Sequence, residues 1–226
     1  MTVLEQLSQV MGRAVPEPVA AVVAARHTQS GVSLFCNTEV AEICQADSGF
    51  TVTATDGLSW RADVMIARIG EVPETQLTEE CGLEVETGIR VNEQLRTSNP
   101  DIYPAVYCCL FPHSLFGHRR IRLEMWRGAR EQAEYAARNL IGGSEAFEAV
   151  PWFWSNQFDL TLQVAGLPGL CNEPVVRQRP DGVSLHFELT SDGRLVSVSE
   201  VGEGNSVAKD MRLGEILIIS KTEYSK

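Results

Sequence analysis

The stretch that most constrains this chain runs from Val150 to Gly166, V-P-W-F-W-S-N-Q-F-D-L-T-L-Q-V-A-G. Trp152 and Trp154 stand two residues apart behind Pro151, and a polar group, Ser155-Asn156-Gln157, follows as a predicted turn. Phe158, Leu160, Leu162 and Val164 then alternate with Asp159, Thr161 and Gln163, the period of two expected of a strand with one buried face. A buried indole needs a partner for its N–H, so tryptophan often sits where one side is apolar and the other wet. Two indoles this close either fill a core at a domain seam or divide their roles. In the second case one lines a site for a planar ligand and the other faces a partner.

Composition narrows the classes. A chain of 226 residues makes one large domain or two small ones. Its formal net charge of −11 would repel a phosphate backbone, which argues against nucleic-acid binding. No apolar run reaches the length of a membrane span. The start, Met1-Thr2-Val3-Leu4-Glu5, has neither the basic nor the apolar part of a secretory signal, so a cytoplasmic protein with reduced thiols is expected. The six cysteines are scattered without a Cys-x-x-Cys pair, so zinc and dithiol chemistry have no motif to rest on. Cys108-Cys109 reads as two small apolar residues in a strand or turn. The four histidines are too scattered to suggest a metal site, and no Gly-x-Ser-x-Gly elbow marks a hydrolase.

Local patterns predict the elements. Thr2 to Glu5 is a short strand, Pro16 opens a helix carrying Val19, Val22, Val23 and Arg26, Gly31 stops it, and Val32 to Phe35 is a second strand. That order fits a parallel βαβ unit. Glu39 to Ile43, Phe50 to Ala54 and Leu58 to Trp60 predict an antiparallel meander with turns at Asp47-Ser48-Gly49 and Asp56-Gly57. Asp63 to Ala67 is expected as an apolar strand, Glu74 to Cys81 as a short helix, and Ile89 to Val91 and Ile102 to Tyr107 as strands. Glu124 to Leu140 is helical, with Ala129, Ala133, Ala136, Ala137 and Leu140 on one small-residue face suited to a sheet or a cofactor. After residue 150 the pattern changes to strands near 157–165, 174–178, 183–189 and 194–200, then a helix from Ser206 to Ile219.

Several of these stretches, in order, resemble the ferredoxin reductases that serve oxygenase systems, of the putidaredoxin, rhodocoxin and biphenyl-dioxygenase reductase type. Val150 to Gly166 resembles the start of their C-terminal domain, and Arg122-Leu123-Glu124-Met125-Trp126 with Ala129 and Gln132 resembles their Arg-x-Glu-x-Trp segment. Thr97 to Tyr103 resembles the approach to their second flavin motif, Val3-Leu4-Glu5 the end of a nicotinamide-domain strand, and Gly70-Glu71-Val72-Pro73 the Gly-x-x-Pro that closes that domain. The resemblance implies an α/β remnant of a nucleotide-binding, glutathione-reductase-like fold, followed by an α+β C-terminal reductase domain with an antiparallel sheet. It divides the chain into a partial nicotinamide-binding domain (1–75), the last segment of an FAD-binding domain (76–147) and a C-terminal domain (148–226). It implies hydride transfer from NAD(P)H to FAD and single-electron transfer to an iron–sulfur protein. It places Glu5 at the adenosine ribose, Gly70 and Pro73 at the close of the nicotinamide domain, and Trp126 and Trp154 near the flavin and nicotinamide rings, with Gly70, Pro73, Tyr107 and Glu124 also counted among the cofactor-binding positions. A ferredoxin or an oxygenase component would be the partner, with a complementing chain or a homodimer as further possibilities.

Departures from the pattern keep other readings open. Neither Gly-x-Gly-x-x-Gly fingerprint is present, and both would lie before Met1. Val106-Tyr107 stands where the second flavin motif has Gly-Asp, and Arg68 stands where the family has a small residue. A non-redox descendant could use Tyr107, Trp126 and Trp154 to hold an apolar or aromatic small molecule, and a dimerisation or docking module needs no chemistry. His113 and His118, in an expected loop with Arg119, Arg120 and Arg122, could serve as a base, an anion site or a solvated turn.

Overall fold

The computed structural model describes residues 1–46, 49–170, 174–204 and 208–221. Asp47 and Ser48 of the expected turn, Cys171, and the expected helix start at Ser206 lie outside these. The chain forms two compact units, Met1–Glu71 and Val72–Lys226.

The first unit opens with β1 (Thr2–Leu4), α1 (Glu17–Gln29) and β2 (Ser33–Phe35). Pro16 caps α1 with extended backbone, and the helix buries Val19, Ala20 and Val23. β1 and β2 pair in parallel, Val3 opposite Leu34, as the βαβ reading requires. β3 (Val40–Ala46), β4 (Gly49–Ala54) and β5 (Ser59–Ala62) form the expected antiparallel meander. The expected strand Asp63 to Ala67 does not form. Val64 is 75% and Ile66 88% exposed, and the segment pairs with no strand among the described residues. An apolar run becomes a strand only when a neighbour accepts its backbone hydrogen bonds, and β1 and β2 make a sheet of two strands.

The second unit contains α2 (Gln76–Glu80), β6 (Ile89–Arg90), β7 (Cys109–His113), β8 (Arg119–Ile121) and α3 (Trp126–Leu140). β9 (Trp152–Gln157), β10 (Leu160–Gly166), β11 (Val175–Gln178), β12 (Ser184–Leu189), β13 (Leu195–Glu203) and α4 (Ala208–Ile219) complete it. The last five strands form one antiparallel sheet in the order β11-β12-β13-β10-β9.

Four local expectations are corrected here. Residues 102–105 are irregular, Val106–Cys108 is a 3-10 turn, and the strand begins only at Cys109. Pro104, which has no N–H to donate, interrupts the apolar run before it, and Cys109, Leu110 and Phe111 take the buried places. Ser155-Asn156-Gln157 stays in β9, and Phe158-Asp159 makes the hairpin turn, with Phe158 at φ 60° and exposed rather than buried. A two-residue hairpin turn needs positive φ, which outweighs the alternation at that position. α3 buries Gly128, Gln132, Ala136 and Asn139, leaving Ala133, Ala137 and Leu140 exposed. Asn139 earns its buried place by donating to the carbonyls of Gln94 and Glu145, both at 2.9 Å. Finally, the expected His–Arg loop is a hairpin of β7 and β8. His118 is exposed and pairs with Glu93, while His113 is fully buried.

One core runs through the second unit from Leu95 and Phe111 to Val198 and Ile218. At its centre Phe147 packs edge-on against Phe111 and Tyr135, each at 5.2 Å between ring centroids. His113 lies 4.7 Å from Phe116, and its Nε2 donates to the Ala149 carbonyl at 3.0 Å. Burial pushes the His113 imidazole below its ordinary value, which holds it neutral.

Under α4, Glu200 on β13 is fully buried beside Arg179 and Asp210. Burial first, then repulsion from Asp210, raises its carboxyl to about 8 against the pull of Arg179. These shifts act in opposite directions. A raised carboxyl stabilises the fold fully below its unfolded value, and that contribution is lost as pH climbs through about 8. A depressed histidine contributes stability above its unfolded value and loses it as pH falls. Glu200→Gln therefore gains melting temperature over the native protein as pH rises from about 5 to 9. Parallel melting curves for the two proteins across that range would contradict the assignment.

Candidate functional site

Two candidate residues of the second unit, Tyr107 and Glu124, are joined just before α3. Arg122 bridges them: its Nη1 donates to the Tyr107 carbonyl at 3.1 Å, and its Nη2 lies 2.6 Å from Glu124 Oε1. Both side chains are largely shielded from solvent, so this ion pair is held more firmly than a surface one. Gly88 makes room for it, since a Cβ there would meet the Cys108 carbonyl oxygen at 2.6 Å and Arg122 Cδ at 3.1 Å.

The turn at Val106 is unusual. Val106 adopts φ 79°, a left-handed conformation that β-branched residues avoid, and its N–H donates to the buried Gln132 Oε1 at 2.9 Å. The backbone here has the geometry of a glycine turn with a valine in it. Val106→Gly should therefore raise stability by about 1 kcal/mol, the relief of strain exceeding the added chain entropy. Denaturant unfolding would show a higher midpoint, whereas a loss of stability would mean the turn is unstrained.

After Glu124 the chain enters α3 with Trp126 at its first position, 68% exposed. Arg127 follows, with its guanidinium carbon 5.5 Å from the Trp152 ring centroid. Trp152 stacks on Trp154 with centroids 5.1 Å apart and an interplanar angle of 29°. The register of β9 on β10 sets Trp152 opposite Ala165 and Trp154 opposite Gln163, and β13 carries Val198 and Glu200 beyond them on the same face. Trp152 is half-buried, while Trp154 is 44% exposed and presents an open indole.

Glu5 and Gly70 belong to the first unit. Glu5 follows β1 directly, where its Oε1 accepts the Leu7 N–H at 2.9 Å, and Gly70 is exposed at φ 93°. The division between the units falls inside the Gly70–Pro73 motif, and Pro73 is half-buried in the second. A separate groove of about 410 Å³, lined by Arg177, Arg179, Leu185, Phe187, Leu213 and Leu217, contains none of the candidate residues. Reading the sequence missed Arg127. Its only signal was an i, i+4 pairing with Glu131, an arrangement common on any helix.

Two families match the chain: pyridine nucleotide-disulphide oxidoreductase over residues 1–133 and reductase C-terminal over residues 152–226. The chain belongs to the pyridine nucleotide-disulphide oxidoreductase family. Within it, the chain is 35% identical over 214 residues to the anthranilate 1,2-dioxygenase system ferredoxin–NAD(+) reductase component of Burkholderia cepacia, covering 94% of this chain and 52% of that protein. It is 34% identical to the rhodocoxin reductase of Rhodococcus erythropolis, covering 90% of this chain and 48% of the relative. A solved ferredoxin reductase from Rhodopseudomonas palustris shares the fold at a TM-score of 0.88 and 28% identity, covering 98% of this chain and 54% of that one. The chain spans about half the length of the curated relatives it matches. The resemblance drawn from the indole and Arg-x-Glu-x-Trp motifs therefore holds, as does the fold it implied.

The fit to a flavin is divided. The exposed Trp126 and the open face of Trp154 suit a planar ring. The turn at Val106-Tyr107 offers no carboxylate, and these 226 residues contain no Gly-x-Gly-x-x-Gly sequence of the kind that cradles a pyrophosphate. No helix among the described residues is long and apolar enough to cross a membrane, and the five described cysteines are free thiols.

Proposed function

We propose that this chain is the ring-facing part of a ferredoxin-reductase flavoenzyme that uses NAD(P)H and FAD and needs dinucleotide-binding loops it does not itself contain. Residues 1–75 then act as a partial nicotinamide domain, 76–147 as the last segment of the flavin domain, and 148–226 as the C-terminal domain. The observation that carries this reading is the Val106 turn. At the place of the family's Gly-Asp motif, the backbone keeps a glycine-like φ of 79° and is held by Gln132, with Arg122 and Glu124 alongside. Glu5, directly after β1, is the proposed ribose ligand, and the free thiols fit a cytoplasmic protein. FAD, when bound, would supply the step between two-electron and one-electron transfer. This chain's residues would flank the ring and exclude water from it. The electron acceptor would be a small iron–sulfur protein, in line with the ferredoxin and rhodocoxin in the relatives' names.

The test restores the motif. Mixed with the unmatched half of the Burkholderia cepacia anthranilate dioxygenase reductase, the double change Val106→Gly and Tyr107→Asp should raise the FAD retained after gel filtration above that of the native chain in the same mixture. Unchanged retention would show that this turn is not the flavin motif.

A further inference from the structure

We propose that Glu215 on α4 and Arg127 on α3 are positioning residues for the Trp152–Trp154 pair, locking the flat indole surface that Trp154 leaves open. The Glu215 side chain is 7% exposed, and its carboxylate lies between two guanidinium groups. Its Oε1 accepts from Arg127 Nη1 at 2.7 Å, and its Oε2 accepts from Arg212 Nη1 at 3.0 Å. A shielded carboxylate with both oxygens engaged by charged donors is held in one orientation. Arg127 is gripped on a second side, where its Nε donates to Glu131 at 2.9 Å. With two edges of the planar fork fixed, the guanidinium has little freedom left, which a flexible lysine ammonium would retain.

The plane so fixed lies over Trp152, at 5.5 Å from the ring centroid and within cation–π range. Trp152 is the inner member of the stack, and Trp154 the outer. The last helix of the fold thus sets the tilt of the exposed indole through a chain of four side chains, Glu215, Arg127, Trp152 and Trp154. An unrestrained surface indole samples several rotamers, and a ring-binding surface gains from having one fixed beforehand. That the surface receives a planar cofactor ring rests on the proposed function. The lock itself does not.

Stacked indoles couple electronically and give an exciton couplet in circular dichroism, so the lock can be read without any cofactor. Trp154→Phe assigns the couplet by removing it. Arg127→Met, which keeps the aliphatic stem and leaves Glu215 paired with Arg212, should lose most of the couplet while the protein stays folded by gel filtration and cooperative melting. Glu215→Gln should lose part of it, and Arg127→Lys should recover part of what Arg127→Met loses. Arg130→Met, which breaks an exposed pair with Glu134 on the same helix, should change nothing. A full couplet in folded Arg127→Met overturns the proposal, as does a native protein without one. A full couplet in folded Glu215→Gln removes Glu215 from the lock. If Glu215→Gln does not fold, Arg127→Met decides the question alone. Failure of FAD binding in any of these proteins bears on the proposed function and leaves the couplet result intact.

Discussion

Gly166→Ala will severely destabilise the C-terminal sheet. Gly166 closes β10 at φ 89°, and a Cβ there would sit 2.1 Å from the Val196 carbonyl oxygen and 2.9 Å from Ile218 Cδ1. The first clash is with backbone, so no rotamer relieves it, and the positive φ adds strain of its own. Moving the strand away would break the hydrogen bonds that Gly166 N–H makes to the Pro151 carbonyl and Leu167 N–H to the Val196 carbonyl, at 2.8 and 2.9 Å. It would also lift α4 from Ala165 and Val198. The expected loss is on the order of 4 kcal/mol or more, among the largest single-residue effects. Denaturant unfolding of Gly166→Ala reads it directly, and a loss below about 1 kcal/mol would mean that the β10–β13 approach is looser than described.

Phe147→Ala should cost about 3–5 kcal/mol. The ring is 1% exposed and meets Phe111, Tyr135 and His113, and its backbone N–H donates to the Glu93 carbonyl at 2.8 Å. Truncation leaves a cavity at the point where the segment before β9 joins the sheet that follows. Phe147→Leu, which fills most of the space, should cost about 1–2 kcal/mol. Equal losses for the two variants would show that the site collapses around either side chain. The unfolding midpoints of both proteins make the comparison.

How much of this was legible in the sequence follows the range of the interaction concerned. The βαβ start and the meander depend on neighbours a few residues away, and Pro16, Gly31 and Asp56-Gly57 marked them. Asp63 to Ala67 has the composition of a strand but lacks a partner, which composition cannot supply. The buried face of α3 was misjudged because Gln132 and Asn139 are buried through hydrogen bonds to distant backbone, so the apolar pattern pointed to the wrong side. At the site, the indole pair was visible because two tryptophans are rare and close together. Its lock was not, since Arg127 and Glu215 lie 88 residues apart and each looks like an ordinary helix-surface charge.

The central claim is that this chain supplies the ring-facing surface of a flavoenzyme and lacks the loops that grip the dinucleotides. Gel filtration with FAD tests it most directly, on this chain alone and on this chain combined with the unmatched half of the Burkholderia cepacia anthranilate dioxygenase reductase. The mixture should elute as a yellow complex and the lone chain colourless. A lone chain that retains stoichiometric flavin, or a mixture that retains none, would contradict the claim.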